Sequence, residues 1–304
     1  MDRRVMLSAI ATAAVLVLSG CAAKSTGSNT RVPSAPASTP LSGSNFALGP
    51  SAAATGCSPS SMHTKTSGVL TVATDSPAYA PWFSANKPSN GKGFESAVAF
   101  AVARQLGFKA SKVKWVVASF NSVIAPTPKK FDFDVNEVSI TAARAKAVDF
   151  SSGYYDVAQA VVSLKTDKYA KATSIAGLKG AKLAAQKGTT SLDAITNVIK
   201  PGRTPAEFPT NDLAVQALKN GQVDGLVVDL LTGLYITSAQ IQGATIVGQL
   251  AVTGSPEQFG LVLEKGSSLT SCVSKAVNAL RANGLLKKLQ QTWLTTSAGA
   301  PELK

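Results

Sequence analysis

The chain has 304 residues, 45% of them hydrophobic and 15% charged, with a formal charge of +13 and a pI of about 9.7. This composition is globular rather than disordered, and the length suffices for one large or two medium domains with real cores. Lys and Arg are scattered without an aromatic-basic block, which argues against nucleic acid and fits a protein held at an anionic envelope.

The first segment reads as an address. Arg3 and Arg4 precede an apolar run over 5–18, and Leu18-Ser19-Gly20-Cys21 follows. A basic start with so short an apolar run predicts a secretory signal over 1–20, since it is too short to span a bilayer stably. The Leu-Ser-Gly-Cys ending resembles a lipobox, in which Cys21 would be lipidated and become the mature N-terminus. Residues 21–56 are nearly all Ala, Ser, Thr, Pro and Gly. They lack the apolar surface to offset ordering entropy and read as a flexible tether. Together the two segments predict a protein anchored to the outer face of a membrane, not one spanning it.

The globular part begins at Cys57. With Cys21 assigned to lipid, Cys57 and Cys272 remain as an even pair in an oxidising compartment, and a disulfide between them is expected. Two lone cysteines give little support to a metal site. The chain has one histidine, His63, placed before the first predicted strand, so a His-based triad or zinc site is excluded. Residues 68–75 predict a strand ending in Asp75. A Pro- and aromatic-rich stretch with Tyr79 follows, and then a helix opened by Gly93-Phe94-Glu95 and stopped by Gly107. Residues 113–117 predict a second strand, followed by Phe120.

The run over 131–155 is the most informative. Phe131, Phe133, Val135, Val138 and Ile140 predict a strand, and Thr141 is a good N-cap for a short turn carrying Arg144. Ser139, Thr141 and Arg144 form a compact donor set suited to a planar, bidentate carboxylate. Beyond Tyr155, strands are predicted over 157–164 and 182–186. The latter leads into Gly188-Thr189-Thr190 and a helix over 192–199, and such a turn presents free N–H groups and a positive helix end to an anion. A helix over 211–220 and a buried-type strand ending in Asp229 come next. Alternating strands and helices indicate an α/β fold, and no Gly-rich nucleotide fingerprint is present.

The spacing from Asp134 through Arg144 to Val148-Asp149-Phe150 and Tyr154-Tyr155 resembles the signature of amino-acid-binding subunits of ABC importers, the extracellular solute-binding proteins of family 3. The stretch Asp75 to Phe83, the loop Gln186-Lys187-Gly188-Thr189-Thr190 and the element from Gly221 to Asp229 extend the resemblance over 68–294. The first of these is one residue longer than in the family. The resemblance implies a two-lobed periplasmic-binding-protein-like (type II) fold with two hinge strands. One lobe would hold 57–155 and 259–304, and the other 156–258. It implies a ligand site of Asp75, Tyr79, Phe120, Glu137, Ser139 and Arg144 on one lip and Thr189, Thr190 and Asp229 on the other. Arg144 and the Thr190 amide would take the α-carboxylate. Asp229, the Ser139 hydroxyl and the Glu137 carbonyl would take the ammonium, and Tyr79 and Phe120 would sandwich the side chain. The family often has a small residue at the position of Glu137. With Asp75 nearby, two acids would face the ligand, favouring a cationic or amide amino acid (arginine, lysine, glutamine) over glutamate.

The expected partners are therefore a free amino acid, the transmembrane subunits of an ABC permease and the membrane through its lipid anchor. The protein is expected to be a monomer without cofactor, metal or catalysis. The competing reading is an enzyme on the same fold, similar to cyclohexadienyl dehydratase and acting on a small carboxylate. That reading requires a poised acid or base, for which only Asp75, Glu137 and Asp229 qualify.

Overall fold

A computed structural model describes residues 56–252, 254–294 and 300–304. The signal over 1–20, the lipidation at Cys21 and nearly all of the tether lie outside the described residues. The strands are β1 (Leu70–Thr74), β2 (Val113–Val117), β3 (Phe133–Asp134), β4 (Val148–Phe150), β5 (Tyr155–Val157), β6 (Gln159–Leu164), β7 (Leu183–Gln186), β8 (Ala206–Phe208), β9 (Gly225–Asp229), β10 (Ala244–Leu250), β11 (Glu257–Phe259), β12 (Val262–Glu264) and β13 (Glu302–Leu303). The helices are α1 (Phe94–Gln105), α2 (Phe120–Ile124), α3 (Thr190–Ala194), α4 (Asn211–Lys219), α5 (Leu230–Tyr235), α6 (Thr270–Ala282) and α7 (Leu285–Trp293). Wide π-type turns prolong α3 over Ile195–Ile199 and α5 over Ile236–Gln240. No described helix is long and apolar enough to cross a membrane.

Two sheets organise the molecule. The first has five strands in the order β2-β1-β3-β12-β4, and the second has six in the order β13-β10-β6-β9-β7-β8. Strand alternation explains why β6, β7 and β9 are buried along nearly their whole length and mostly apolar. Val161, Leu183, Ala185 and Val227 face one core with Leu178, Ile195 and Ile199. Val162, Ala184, Leu226 and Val228 face the other with Ala214, Leu218 and Ile236. Helices on both faces keep each side dry, so no polar alternation is needed.

The sheets are joined by a two-stranded antiparallel ribbon, in which Phe259 pairs with Tyr155 and Glu257 with Val157. Trp82 packs edge to face on Tyr155 and Phe259 of this ribbon, and Phe94 does so on Tyr155, with ring centroids 5.5–5.6 Å apart. The resulting architecture is the two-lobed α/β arrangement with two hinge strands expected from the sequence.

Two elements depart from expectation. The strand predicted across 131–140 forms only at Phe133–Asp134, because Glu137 takes a left-handed conformation (φ 52°) and turns the chain out of the sheet. The end of the chain does not stay with the first lobe as the 259–304 boundary required. Instead β13 pairs with β10 in the second sheet, and Leu303 is buried against Val247 and Leu250. Cys57 and Cys272 form a disulfide across 215 residues, tying the start of the first lobe to α6.

Candidate functional site

The residues singled out from the sequence converge. Asp75, Tyr79, Phe120, Glu137, Ser139, Arg144, Thr189, Thr190 and Asp229 all line one cavity of about 100 Å³ at the facing edges of the two sheets. Asn136, Gln186, Ser191, Asp212 and Thr232 share its wall. Carboxylates in this lining outnumber cations, with Asp75, Glu137, Asp212 and Asp229 against Arg144 alone.

On the first lobe, Thr141 caps its turn as expected, its hydroxyl accepting from the Arg144 amide at 3.1 Å. That turn aims the guanidinium across the cleft. Arg144 Nη1 donates to the Ser139 carbonyl (2.7 Å), Nη2 donates to the Gly188 carbonyl of the other lobe (2.9 Å), and Cζ lies 5.3 Å from the Phe120 ring centroid. Two of its five N–H groups are thus engaged. Burial lowers its pKa, against the pull of Glu257, Asp229 and Asp193.

Asp75 accepts from the amides of Ser76 (2.7 Å) and Phe120 (3.2 Å), so it holds α2 and its leading ring in place. Tyr79 reaches the cavity despite the longer loop before it. Asp212 of the second lobe lines the same cavity, and burial, then that neighbouring carboxylate, raises the pKa of the Tyr79 hydroxyl.

The left-handed backbone of Glu137 sends its carboxyl across the cleft, where Oε2 accepts from the Thr232 hydroxyl at 2.6 Å. Thr232 Oγ1 in turn accepts from Trp82 Nε1 at 3.1 Å, a bond that also joins the two lobes. The Glu137 amide donates to Glu95 Oε1 at 2.7 Å, and Tyr154 Oη donates to the same oxygen. Glu95 is completely buried and its pKa is raised to about 7, chiefly by that burial. Glu137 is raised well above the usual carboxylate range by burial and by Glu95 and Asp229 nearby.

On the second lobe, Thr189 is the N-cap of α3. Its hydroxyl accepts from the Leu192 amide (3.2 Å) and donates to the Gln186 carbonyl (2.7 Å). The Thr190 hydroxyl donates to Glu257 Oε1 at 2.6 Å and lies 3.4 Å from Ser139 Oγ. At the end of β9, Asp229 Oδ1 accepts from Gln159 Nε2 at 2.7 Å. Burial, then the neighbouring Glu257, pushes its carboxyl up to about 8.

Gln159, Glu257, Thr232 and Asp212 were not anticipated. Gln159 and Glu257 sit on or beside the hinge ribbon, with Gln159 Nε2 3.3 Å from Glu257 Oε2 and Ser191 Oγ donating to Gln159 Oε1 at 2.7 Å. The available signal was weak: a glutamine opening an otherwise apolar strand, which a buried position tolerates only when both ends of the amide are satisfied. Among the described residues no cluster suited to a metal ion occurs.

The arrangement can hold a small molecule with a negative and a positive end, a guanidinium on one lip and carboxylates on the other. Comparison with known proteins fits this chemistry. The sequence pattern of the bacterial extracellular solute-binding proteins, family 3, matches residues 70–296. The ABC transporter glutamine-binding protein GlnH of Bacillus subtilis (strain 168) is 29% identical over 223 residues, spanning 70% of this chain and 77% of that protein. The solved structure of an ancestral arginine-binding protein bound to glutamine is 32% identical, with a TM-score of 0.63, covering 75% of this chain and 98% of that one. A second ancestral amino acid-binding protein, described as a precursor of cyclohexadienyl dehydratase, is 30% identical with a TM-score of 0.61, over 74% and 95% of the two chains. With the pattern spanning most of the chain, and both lobes accounted for, the protein belongs to the bacterial extracellular solute-binding proteins, family 3.

Proposed function

We propose that this protein captures a polar amino acid between its lobes and delivers it to the membrane subunits of an ABC importer, acting outside the cytoplasm as a monomer anchored by lipid on Cys21. The observation that carries the reading is that Arg144 and Asp229 open onto the same cavity from opposite lobes. Neither lobe alone satisfies both charges of a zwitterion, so ligand stabilises the closed arrangement by the difference in contacts. Arg144 and the Thr190 amide, which as the first residue of α3 has no intrahelical acceptor, serve the α-carboxylate. Asp229 serves the ammonium, and the rings of Tyr79 and Phe120 flank the side chain.

The excess of carboxylates in the lining favours a cationic or amide side chain over an acidic one. Titration calorimetry with the twenty amino acids tests this. Binding of arginine, lysine or glutamine is expected, and tight binding of glutamate with none of these three would reject the assignment.

The dehydratase-like alternative is the weaker reading. Asp229 and Glu137 each hold a structural hydrogen bond, to Gln159 and Thr232, and the relative that names such an enzyme is itself an amino acid-binding protein. Recovery of unchanged ligand after prolonged incubation is the expected result.

A further inference from the structure

Beneath the cleft lies a column of carboxyl groups with too few donors. Glu95 is completely buried in the first turn of α1. One of its oxygens takes both the Glu137 amide and the Tyr154 hydroxyl, while Oε2 has no partner among the described residues. Behind it, Asp134 is also fully buried with both oxygens unpartnered. In front, Glu137 Oε2 takes the Thr232 hydroxyl across the cleft. Ionised carboxylates at such positions carry a heavy desolvation cost unless a cation compensates them. The groups facing Glu137 supply none: they are Glu95 from α1, Asp229 from β9, Tyr154 and Tyr155 from the approach to the hinge, and Tyr79. Lys129, which faces Asp134, spends its ammonium on the carbonyls of Ser122 (2.7 Å) and Ala125 (2.6 Å).

We infer that Glu137, backed by Glu95, is a proton-holding selectivity pair: a ligand whose side chain carries a positive charge binds by displacing one proton from the pair, whereas a neutral side chain leaves that proton in place. This rests on the reading of the cleft as an amino-acid site. The step balances simply. The carboxylic acid of Glu137 gives its proton to solvent, and the resulting carboxylate pairs with the ligand's guanidinium or ammonium.

The amine end behaves alike for all amino acids, because each places an ammonium at Asp229 and ionises it. The difference between ligands therefore isolates the pair. Calorimetric titration of the protein with L-arginine and with L-glutamine, at pH values from 5.5 to 8.5 and in two buffers of different ionisation enthalpy, counts protons released per ligand. Arginine is expected to release up to one proton more than glutamine near neutral pH. Its affinity should rise with pH by up to about tenfold more per unit than that of glutamine, one linked proton's worth. Glu137→Gln should abolish the excess. Glu95→Gln, whose Oε1 still accepts from Tyr154 and the Glu137 amide, should move it to lower pH because Glu137 loses an acidic neighbour. Equal proton counts for bound arginine and glutamine overturn the inference while leaving the transport reading intact. Binding of uncharged amino acids with no binding of arginine or lysine does the same. If no amino acid binds at all, the transport reading itself fails and this inference falls with it.

Discussion

Arg144 touches both lobes and the cavity between them, through the carbonyls of Ser139 and Gly188. A lysine carries the same charge but has no planar fork and cannot serve two carbonyls and a carboxylate together. Arg144→Lys is expected to weaken amino-acid binding by about 2–3 kcal/mol, on the order of a hundredfold in Kd. Calorimetry checks this, with thermal unfolding of the ligand-free variant shifting far less. Asp229 gives a second prediction. Its carboxyl is held up to about 8 by burial and by Glu257, so in the free protein it is largely protonated at neutral pH. With the ammonium placed on Asp229 as proposed, binding requires the anion and releases that proton, so affinity for any amino acid is expected to rise with pH below about 8 and to level off above it. Kd measured for glutamine from pH 6 to 9 should follow this course, and Asp229→Asn should lose the slope. The residues legible in the sequence were those in loops with distinctive spacing, such as Ser139, Arg144 and the pair Thr189-Thr190. Gln159, Glu257, Thr232 and Asp212 were not legible, since their roles come from hinge strands and helix starts brought together only by the fold.

At the level of elements, the start of α1 is fixed by a close approach that only glycine allows. Gly93 has φ 95°, and a Cβ there would lie 2.5 Å from the Trp82 carbonyl oxygen and 2.6 Å from Phe83 Cα. The amides of Phe94 and Glu95 donate to the carbonyls of Pro81 (3.0 Å) and Trp82 (2.9 Å), so the loop carrying Tyr79 and Trp82 is bound to the helix that carries Glu95. Gly93→Ala must break that seam, combining left-handed strain with a backbone clash, and should lower stability by about 3 kcal/mol or more. Chemical denaturation would measure it, and a loss below about 1 kcal/mol would contradict the packing described. The helix from Gly93 to Gly107 was legible because punctuation and apolar period agreed. No element was expected over 244–250, although β10 forms there. Its Gly248 reads as a breaker, yet a Cβ at that position would lie 2.7 Å from Leu303 Cγ, so the glycine makes room for the C-terminal strand. Such a reason resides in a partner some fifty residues away and leaves no local trace.

For the molecule as a whole, the cleft is joined by bonds that run from one lobe to the other, Arg144 to the Gly188 carbonyl, Trp82 to Thr232 and Thr232 to Glu137, and the last ends on a carboxyl whose charge is suppressed. The same suppression sets how the fold responds to pH. The carboxyl of Glu95 moves from its ordinary 4.5 to about 7 on folding, so the unfolded chain gives up this proton in a range where the folded one retains it. Unfolding therefore releases a proton between these values, and stability falls as pH rises through the window, by up to about 3 kcal/mol for this group alone. Asp134 and Glu137 are shifted in the same direction and add to the trend. Urea unfolding of the ligand-free protein at pH 5, 6 and 7 should show the decline. Glu95→Gln should flatten it without loosening α1, since the amide oxygen still accepts from Tyr154 and from the Glu137 backbone. A decline of undiminished size in that variant would place the responsible protons elsewhere. A rise in stability from pH 5 to 7 in the parent protein would mean that these carboxyls find in solution the counter-charge that their surroundings in the fold do not supply.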